Sequence, residues 1–146
     1  DFWMATAYRI PDNTCACVPP GTAPATTVPI GRFDVRSFVT SVRDGGTVPA
    51  GKPFALRGLA FDGGFGIRDV AVSADGGKTW TSAALGSELG KYSFREWQMT
   101  ATLPAGTHDI KVRAVNSIGQ SQPDEALWNP AGYMRNVVET TRVRAV

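Results

Sequence analysis

The chain has 146 residues, 42% of them hydrophobic and 19% charged, with a formal net charge of +2. That is enough apolar material for one core of ordinary domain size without a stapling metal or disulfide. It is also too apolar, and too nearly neutral, for intrinsic disorder. Fifteen basic and 13 acidic residues are mixed along the chain, so no clustered charge marks a nucleic-acid partner, and no run approaches the roughly 20 apolar residues of a membrane span.

The opening Asp1-Phe2-Trp3-Met4 has neither the basic n-region nor the apolar h-region of a signal peptide. The expectation is a mature chain, or part of a longer one. Residues 1–10 are apolar enough to be docked on something. Next come Cys15 and Cys17 in Thr14-Cys-Ala-Cys-Val18. This spacing is not that of a thioredoxin-type pair, and no histidine follows as in a c-type haem site. Two cysteines and one histidine fall short of the about four ligands a zinc site needs, so no metal is expected. The cysteines read as loop thiols or as partners for another chain. Residues 11–31 hold five prolines. They are predicted to run extended over a surface as a linker or arm, because proline fixes φ and removes donors.

From residue 34 the pattern is all-β. Strands are predicted over 34–43, 53–61, 67–73, 79–85, 93–103, 107–115 and 137–145, separated by glycine-rich turns such as Asp44-Gly-Gly46 and Asp75-Gly-Gly77. In 95–103, alternation puts Trp97, Met99, Ala101 and Leu103 on one face and Glu96, Gln98, Thr100 and Thr102 on the other. In 107–115, Ile110, Val112 and Ala114 face in while Asp109, Lys111 and Arg113 face out. Helix is confined to at most one turn at 124–127. Seven short strands of this kind predict an immunoglobulin-like antiparallel β-sandwich without a disulfide, preceded by an extended Pro-rich arm.

The sharpest local motif, Ser73-Ala-Asp75-Gly-Gly77-Lys-Thr79-Trp80, matches the Asp-box hairpin of sialidase-type propellers. Its chemistry is structural: the carboxylate caps turn amides and the glycines allow positive φ. It occurs once here and reads as a hairpin, not a glycosidase site. His108 reads as a satisfied or exposed histidine at a sheet edge. There is no serine elbow, dinucleotide fingerprint or Walker loop. The segment 122–136 carries Trp128, Tyr133, Met134 and Arg135, residue types that favour interfaces, with Asn129 beside Trp128. Two readings stand side by side: an interface, or a loop folded back over the end of the core. Read this way, the chain is a binding or assembly module.

Taken together, these segments resemble the sulfite oxidase family of molybdenum enzymes. Phe2-Trp-Met4…Thr6-Ala-Tyr8-Arg9 looks like the last stretch of the family's molybdopterin-binding catalytic domain. Arg36-Ser37 through Gly58, Asp69 through Trp80, Trp97, Pro104-Ala-Gly106 and Trp128-Asn129…Gly132 look like its immunoglobulin-like dimerisation domain. The wording Ala131-Gly-Tyr-Met-Arg-Asn136 is similar to the bacterial sulfite dehydrogenases and sulfur-oxidation relatives, which are typically periplasmic.

The resemblance implies two parts: residues 1–33 as the end of the catalytic domain and a linker, and 34–146 as the dimerisation domain. It implies sulfite oxidation to sulfate at a molybdenum–molybdopterin centre in the complete enzyme, with electrons passing to a cytochrome c, and a homodimer whose interface uses Trp128, Asn129, Tyr133 and Met134. Tyr8 matches the family tyrosine that reaches the molybdenum site; without the resemblance it reads as a packing tyrosine in the arm. Many members carry an arginine two residues after the Trp-Asn pair to bind the anion. Here that position is Ala131, and Arg135, four residues on, is the candidate in its place. The molybdenum-ligating cysteine belongs to the absent catalytic domain, so this chain alone is expected to bind no cofactor and to be inactive. Neither nucleic acid nor membrane is an expected partner. The alternatives are a free-standing immunoglobulin-like binding or adhesion module, which buried Trp80, Trp97 and Trp128 would oppose, and a structural homodimer subunit whose catalytic partner is another chain.

Overall fold

Strands β3 to β11 form two sheets packed face to face. The computed structural model describes residues 2–146. The first sheet has the order β3 (Arg36–Val39), β5 (Phe54–Phe61), β9 (Arg95–Ala101), β8 (Ala84–Leu85). The second has the order β4 (Thr47–Val48), β11 (Thr140–Ala145), β10 (Gly106–Asn116), β6 (Ile67–Ser73), β7 (Thr81–Ser82). All pairings are antiparallel except the short β4–β11 contact at the edge. This is the predicted all-β sandwich.

The alternating faces fall as the sequence requires. Trp97, Ala101, Leu103, Ile110, Val112 and Ala114 are buried with Leu56, Val70 and Val143, and Met99 packs against them half-buried. Glu96, Gln98, Thr100 and Thr102 are exposed. Gly58 shows how tightly the sheets close. A Cβ built there would lie 2.1 Å from the Phe38 carbonyl oxygen and 2.3 Å from the Trp97 ring. The missing side chain lets the indole lie across β5, where Trp97 Nε1 donates to Leu59 O at 3.3 Å.

The predicted strand 79–85 divides at Ala83 into β7, paired with β6, and β8, paired with β9. The buried Ala83 donates its N–H to Val70 O (2.8 Å) and marks the point where the chain changes sheet. Alternation cannot distinguish one strand from two half-strands serving opposite sheets. The two-residue β4 carries too little pattern to be predicted. At 124–127 the chain only bends, and no helical turn forms. The Asp-box is the structural hairpin its sequence predicts. Asp75 Oδ1 accepts the Lys78 and Thr79 amides (3.0 and 2.9 Å), Asp75 Oδ2 accepts the Thr79 hydroxyl (2.6 Å), and Trp80 Nε1 donates to Gly77 O (3.0 Å).

The arm departs from expectation twice. After one π-helical turn at Trp3–Ala7, β1 (Arg9–Pro11) pairs antiparallel with β2 (Thr27–Pro29), so the Pro-rich segment folds back on itself. The prolines sit in the loop and at strand ends, where a missing donor costs no ladder bond. Second, Cys15 and Cys17 are disulfide-bonded to each other, neither free nor offered to another chain. Asn13 sets this up by donating Nδ2–H to Cys17 O (2.8 Å) and accepting the Cys17 amide at Oδ1 (3.2 Å), while Ala16 turns at φ +49°. The sandwich itself contains no cysteine.

The sheets and the long 122–136 excursion meet at Gln122, which is 1% exposed. Its Oε1 accepts Ser37 Oγ–H (2.5 Å) from β3 and the Ala114 amide (3.0 Å) from β10. Its Nε2 donates to Asn136 O (2.9 Å) and reaches Val137 O at 3.5 Å. Gln122→Leu keeps the volume but strands these partners in an apolar interior. It is expected to cost about 2–5 kcal/mol, since each orphaned buried group costs about 1–3 kcal/mol. A urea melt with unchanged slope and lowered midpoint measures this, and a loss under about 0.5 kcal/mol counts against the role.

The hydrogen bonds from Thr79 and Ser73 hold the Asp75 carboxyl far below the ordinary carboxylate value. A depressed folded-state value gives stability that is fully present above about pH 4, and lost as pH falls through the folded value. Asp75→Asn is therefore expected to lower the melting temperature at pH 7. It also makes the loss of stability below about pH 4 shallower than in the parent. Thermal melts across that range check both. Parallel acid limbs in the two proteins would contradict it.

Candidate functional site in the groove between arm and sandwich

The arm and the end of the sandwich enclose a largely apolar groove of about 1050 Å³. Tyr8 from the arm, Tyr133, Met134 and Arg135 from the excursion, and Phe61 and Phe94 from the β5/β9 end all line it. Its size falls at the upper end for a small-molecule cleft. Tyr8 is 43% exposed. Its amide donates to Trp3 O (2.7 Å), its carbonyl accepts the Ile30 amide (3.0 Å), and its ring stands 5.7 Å from both the Trp3 and Tyr133 rings. Such tilted ring pairs favour one arrangement of the chain by roughly 0.5–1.5 kcal/mol each. The phenol therefore sits on a braced backbone, at the groove's edge.

The excursion's turn is built by Asn129, which is buried. Its Nδ2 donates to Tyr133 O (2.8 Å) and its Oδ1 accepts the Tyr133 amide (3.1 Å), while the Gly132 amide returns to Asn129 O (3.0 Å). Met134 follows at φ +63°, an uncommon conformation for a residue with a side chain. Trp128 is half-buried, and its carbonyl accepts the Val18 amide (2.9 Å), sewing the arm's loop to the excursion. The structure thus brings Tyr8, Tyr133, Met134 and Arg135 to one groove. It uses Asn129 as a brace and Trp128 as a seam.

Charge in the groove is organised by Glu139, which pairs with Arg36 Nη2 at 3.2 Å and Arg135 Nε at 3.5 Å. Arg135 is therefore engaged by a carboxylate of its own chain. Arg32 lies with its guanidinium 4.3 Å over the Phe65 ring. Two carboxylates complete the rim. Burial works to raise Asp62, but hydrogen bonds from Asn116 Nδ2 (2.8 Å) and the amides of Phe65, Gly64 and Gly66 outweigh it and hold its carboxyl below the ordinary value. Asp34 is raised, first by desolvation of its carboxyl and then by the charge of Asp62. Phe33, Asp34, Phe61, Asp62, Tyr92 and Phe94 were not singled out by sequence reasoning. They come from three separate loops and strand ends, and no local spacing announces their meeting.

His108 pairs through Nε2 with Pro104 O at 2.8 Å, as a satisfied histidine does. Of the tryptophans, Trp97 is 1% exposed, and Trp80 and Trp128 are half-buried. A molybdenum centre needs a soft thiolate donor. Both cysteine sulfurs of this chain are bonded to each other, and no group of three or more His, Cys, Asp or Glu residues that could hold a metal occurs among the described residues. The chain's own side chains do not fit that group.

The chain is similar to known proteins along most of its length. Residues 27–145 match the model of the Mo-co oxidoreductase dimerisation domain. Sulfite oxidase of Gallus gallus is 35% identical over 141 residues, covering 90% of this chain and 30% of that protein. Sulfite oxidase of Arabidopsis thaliana is 35% identical over 115 residues, covering 70% of this chain and 29% of that protein. The crystal structure of the sulfane dehydrogenase SoxCD from Paracoccus pantotrophus superposes with a TM-score of 0.69 at 26% identity, over 96% of this chain and 35% of that one. The chain spans about a third of the length of these relatives. Two packed sheets with the family's pattern through residues 27–145 make it a member of the Mo-co oxidoreductase dimerisation domain family.

Proposed function

We propose that this chain is the C-terminal part of a molybdenum-dependent sulfite-oxidising enzyme. Residues 1–33 are then the end of the molybdopterin catalytic domain with its linker, and 34–146 the dimerisation domain. The observation that carries this reading is the reach of the similarity to sulfite oxidase. At 90% of the chain, it is longer than the sandwich alone and takes in part of the arm. In the complete enzyme, sulfite is oxidised by two electrons to sulfate, water supplies the oxygen, and a cytochrome c takes the electrons. The catalytic domain holds the molybdenum–molybdopterin, and this chain alone is inactive. The Cys15–Cys17 disulfide supports an exported, periplasmic protein, since disulfides persist in oxidising compartments.

In this reading Tyr8 offers its hydroxyl as a donor to charge developing on the substrate oxygen. Exposure at the groove edge, on a backbone held at both its amide and its carbonyl, is what such a donor requires. Arg135 helps to position the anion once its pairing with Glu139 is shared. In the complete enzyme, Tyr8→Phe is expected to lower kcat for sulfite-dependent cytochrome c reduction by about 10- to 1000-fold. The oligomeric state should not change. A variant with unaltered kcat and KM would remove Tyr8 from the mechanism. An enzyme that reduces cytochrome c with a sulfane-sulfur donor but not with sulfite would move the substrate to the class named for the SoxCD neighbour.

Trp128, Tyr133 and Met134 belong, in this reading, to a self-complementary two-fold interface, with the buried Asn129 shaping the turn that presents them, and a stable one buries well over about 1,000 Å². Light scattering at micromolar concentration is expected to give twice the protomer mass. Tyr133→Ala together with Met134→Ala should raise the dimer dissociation constant by tenfold or more, as anchor residues do. A monomeric parent would overturn the assignment.

A further inference from the structure

Neither the sandwich nor the groove accounts for the Cys15–Cys17 disulfide. We propose that it is a thiol–disulfide exchange site, opened and reclosed by an attacking thiolate while the rest of the protein stays folded. Four observations carry this. Cross-linking stabilises a fold through the chain loop it closes, and this loop contains one residue, Ala16, so the bond adds little to the sandwich. The loop is also held without it: Asn13 binds both the amide and the carbonyl of Cys17 (3.2 and 2.8 Å). Those bonds survive reduction and keep the sulfurs adjacent for reclosure. Ala16 sits at φ +49°, a conformation that its Cβ disfavours, so opening the ring relieves the backbone. Finally, Cys15 is exposed and Cys17 half-buried, which gives an incoming thiolate access to one sulfur of the two.

The exchange balances as two displacements. A thiolate attacks Cys15 Sγ, forming a mixed disulfide, and the electron pair of the broken S–S bond leaves on Cys17, which takes a proton from water. A second thiolate then attacks the partner sulfur of the mixed disulfide, releasing the partner as its own disulfide and leaving Cys15 reduced. Two electrons pass from two thiolates to the protein, and reclosure is the reverse. The attacking thiolate belongs to a small thiol or to a protein dithiol.

The test uses the complete protein under native conditions, with reduced glutathione in one arm and a thioredoxin-type dithiol protein in the other. Free thiols are trapped by maleimide and counted by intact mass. Two new thiols in either arm, with circular dichroism and the thermal midpoint essentially unchanged, are expected, and the faster arm identifies the source. With oxidised glutathione, Cys17→Ser, which leaves the exposed Cys15 thiol, should form the mixed disulfide several-fold faster than Cys15→Ser. Ala16→Gly removes the backbone conflict and should shift the exchange equilibrium toward the disulfide by roughly fivefold. A disulfide that yields in neither arm until the protein is unfolded would overturn the proposal, as would reduction that itself unfolds the sandwich or an Ala16→Gly equilibrium equal to the parent's.

Discussion

One neutral side chain holds the parts of this molecule in register. Gln122 lies between β3, β10 and the start of the last crossing, with both ends of its carboxamide satisfied. An ion pair would carry a larger desolvation cost at such a depth, and an apolar residue would leave the Ser37 hydroxyl and the Ala114 amide without a partner. The carboxamide has two acceptor lone pairs and two donors in one plane. That is what is needed where two sheets and a loop converge from different directions. The excursion from 122 to 136 can therefore be long without being loose.

A second buried polar set does the same for the groove. Asp62 gathers three consecutive amides of the β5–β6 turn and the side chain of Asn116, which is itself held by Gln120. The cost of burying the carboxylate is met by donors fixed in place before any ligand arrives. Next to it, burial and then the charge of Asp62 raise the Asp34 carboxyl above the ordinary value. Across the groove's cationic side, Glu139 neutralises part of the Arg36 and Arg135 charge. What remains open is mainly aromatic: Phe33, Tyr92 and Phe94 are each more than half exposed.

The sandwich was legible because its cause is local. Period-2 alternation placed Trp97, Ala101, Ile110 and Val112 inward, and turn chemistry located the Asp-box hairpin. What sequence missed has non-local causes. The division at Ala83 depends on which sheet each half-strand joins, and the β1–β2 pair is three residues long in a proline-rich stretch where pairing propensity is poor. The disulfide needed Asn13 and a left-handed Ala16 to bring together sulfurs that the short spacing alone does not align. Of the candidate site, Tyr8, Arg135 and the Trp128–Met134 run were named, two through family wording and the rest from the residue types interfaces favour. Asp34, Asp62 and the Phe61–Phe94 pair, edge-to-face at 5.3 Å, were invisible because they converge from separate segments.

The arm is where the fold is least self-sufficient. Its attachments to the rest of the molecule include the Val18–Trp128 and Gly63–Phe33 hydrogen bonds, the Arg32–Phe65 contact and the Tyr8–Tyr133 ring contact. Phe2, Trp3 and Met4 remain 40–65% exposed on a single π-helical turn. A short turn of this sort is not stable by itself, because helical structure of a few residues does not repay its nucleation cost. In the proposed complete enzyme, the catalytic domain would cover these side chains. Tyr133 braces Tyr8 from the excursion and Trp3 from within the arm, each ring at 5.7 Å. The position of the phenol is then a joint property of arm and excursion, because Trp3 is itself exposed while Tyr133 is fixed by the Asn129 turn.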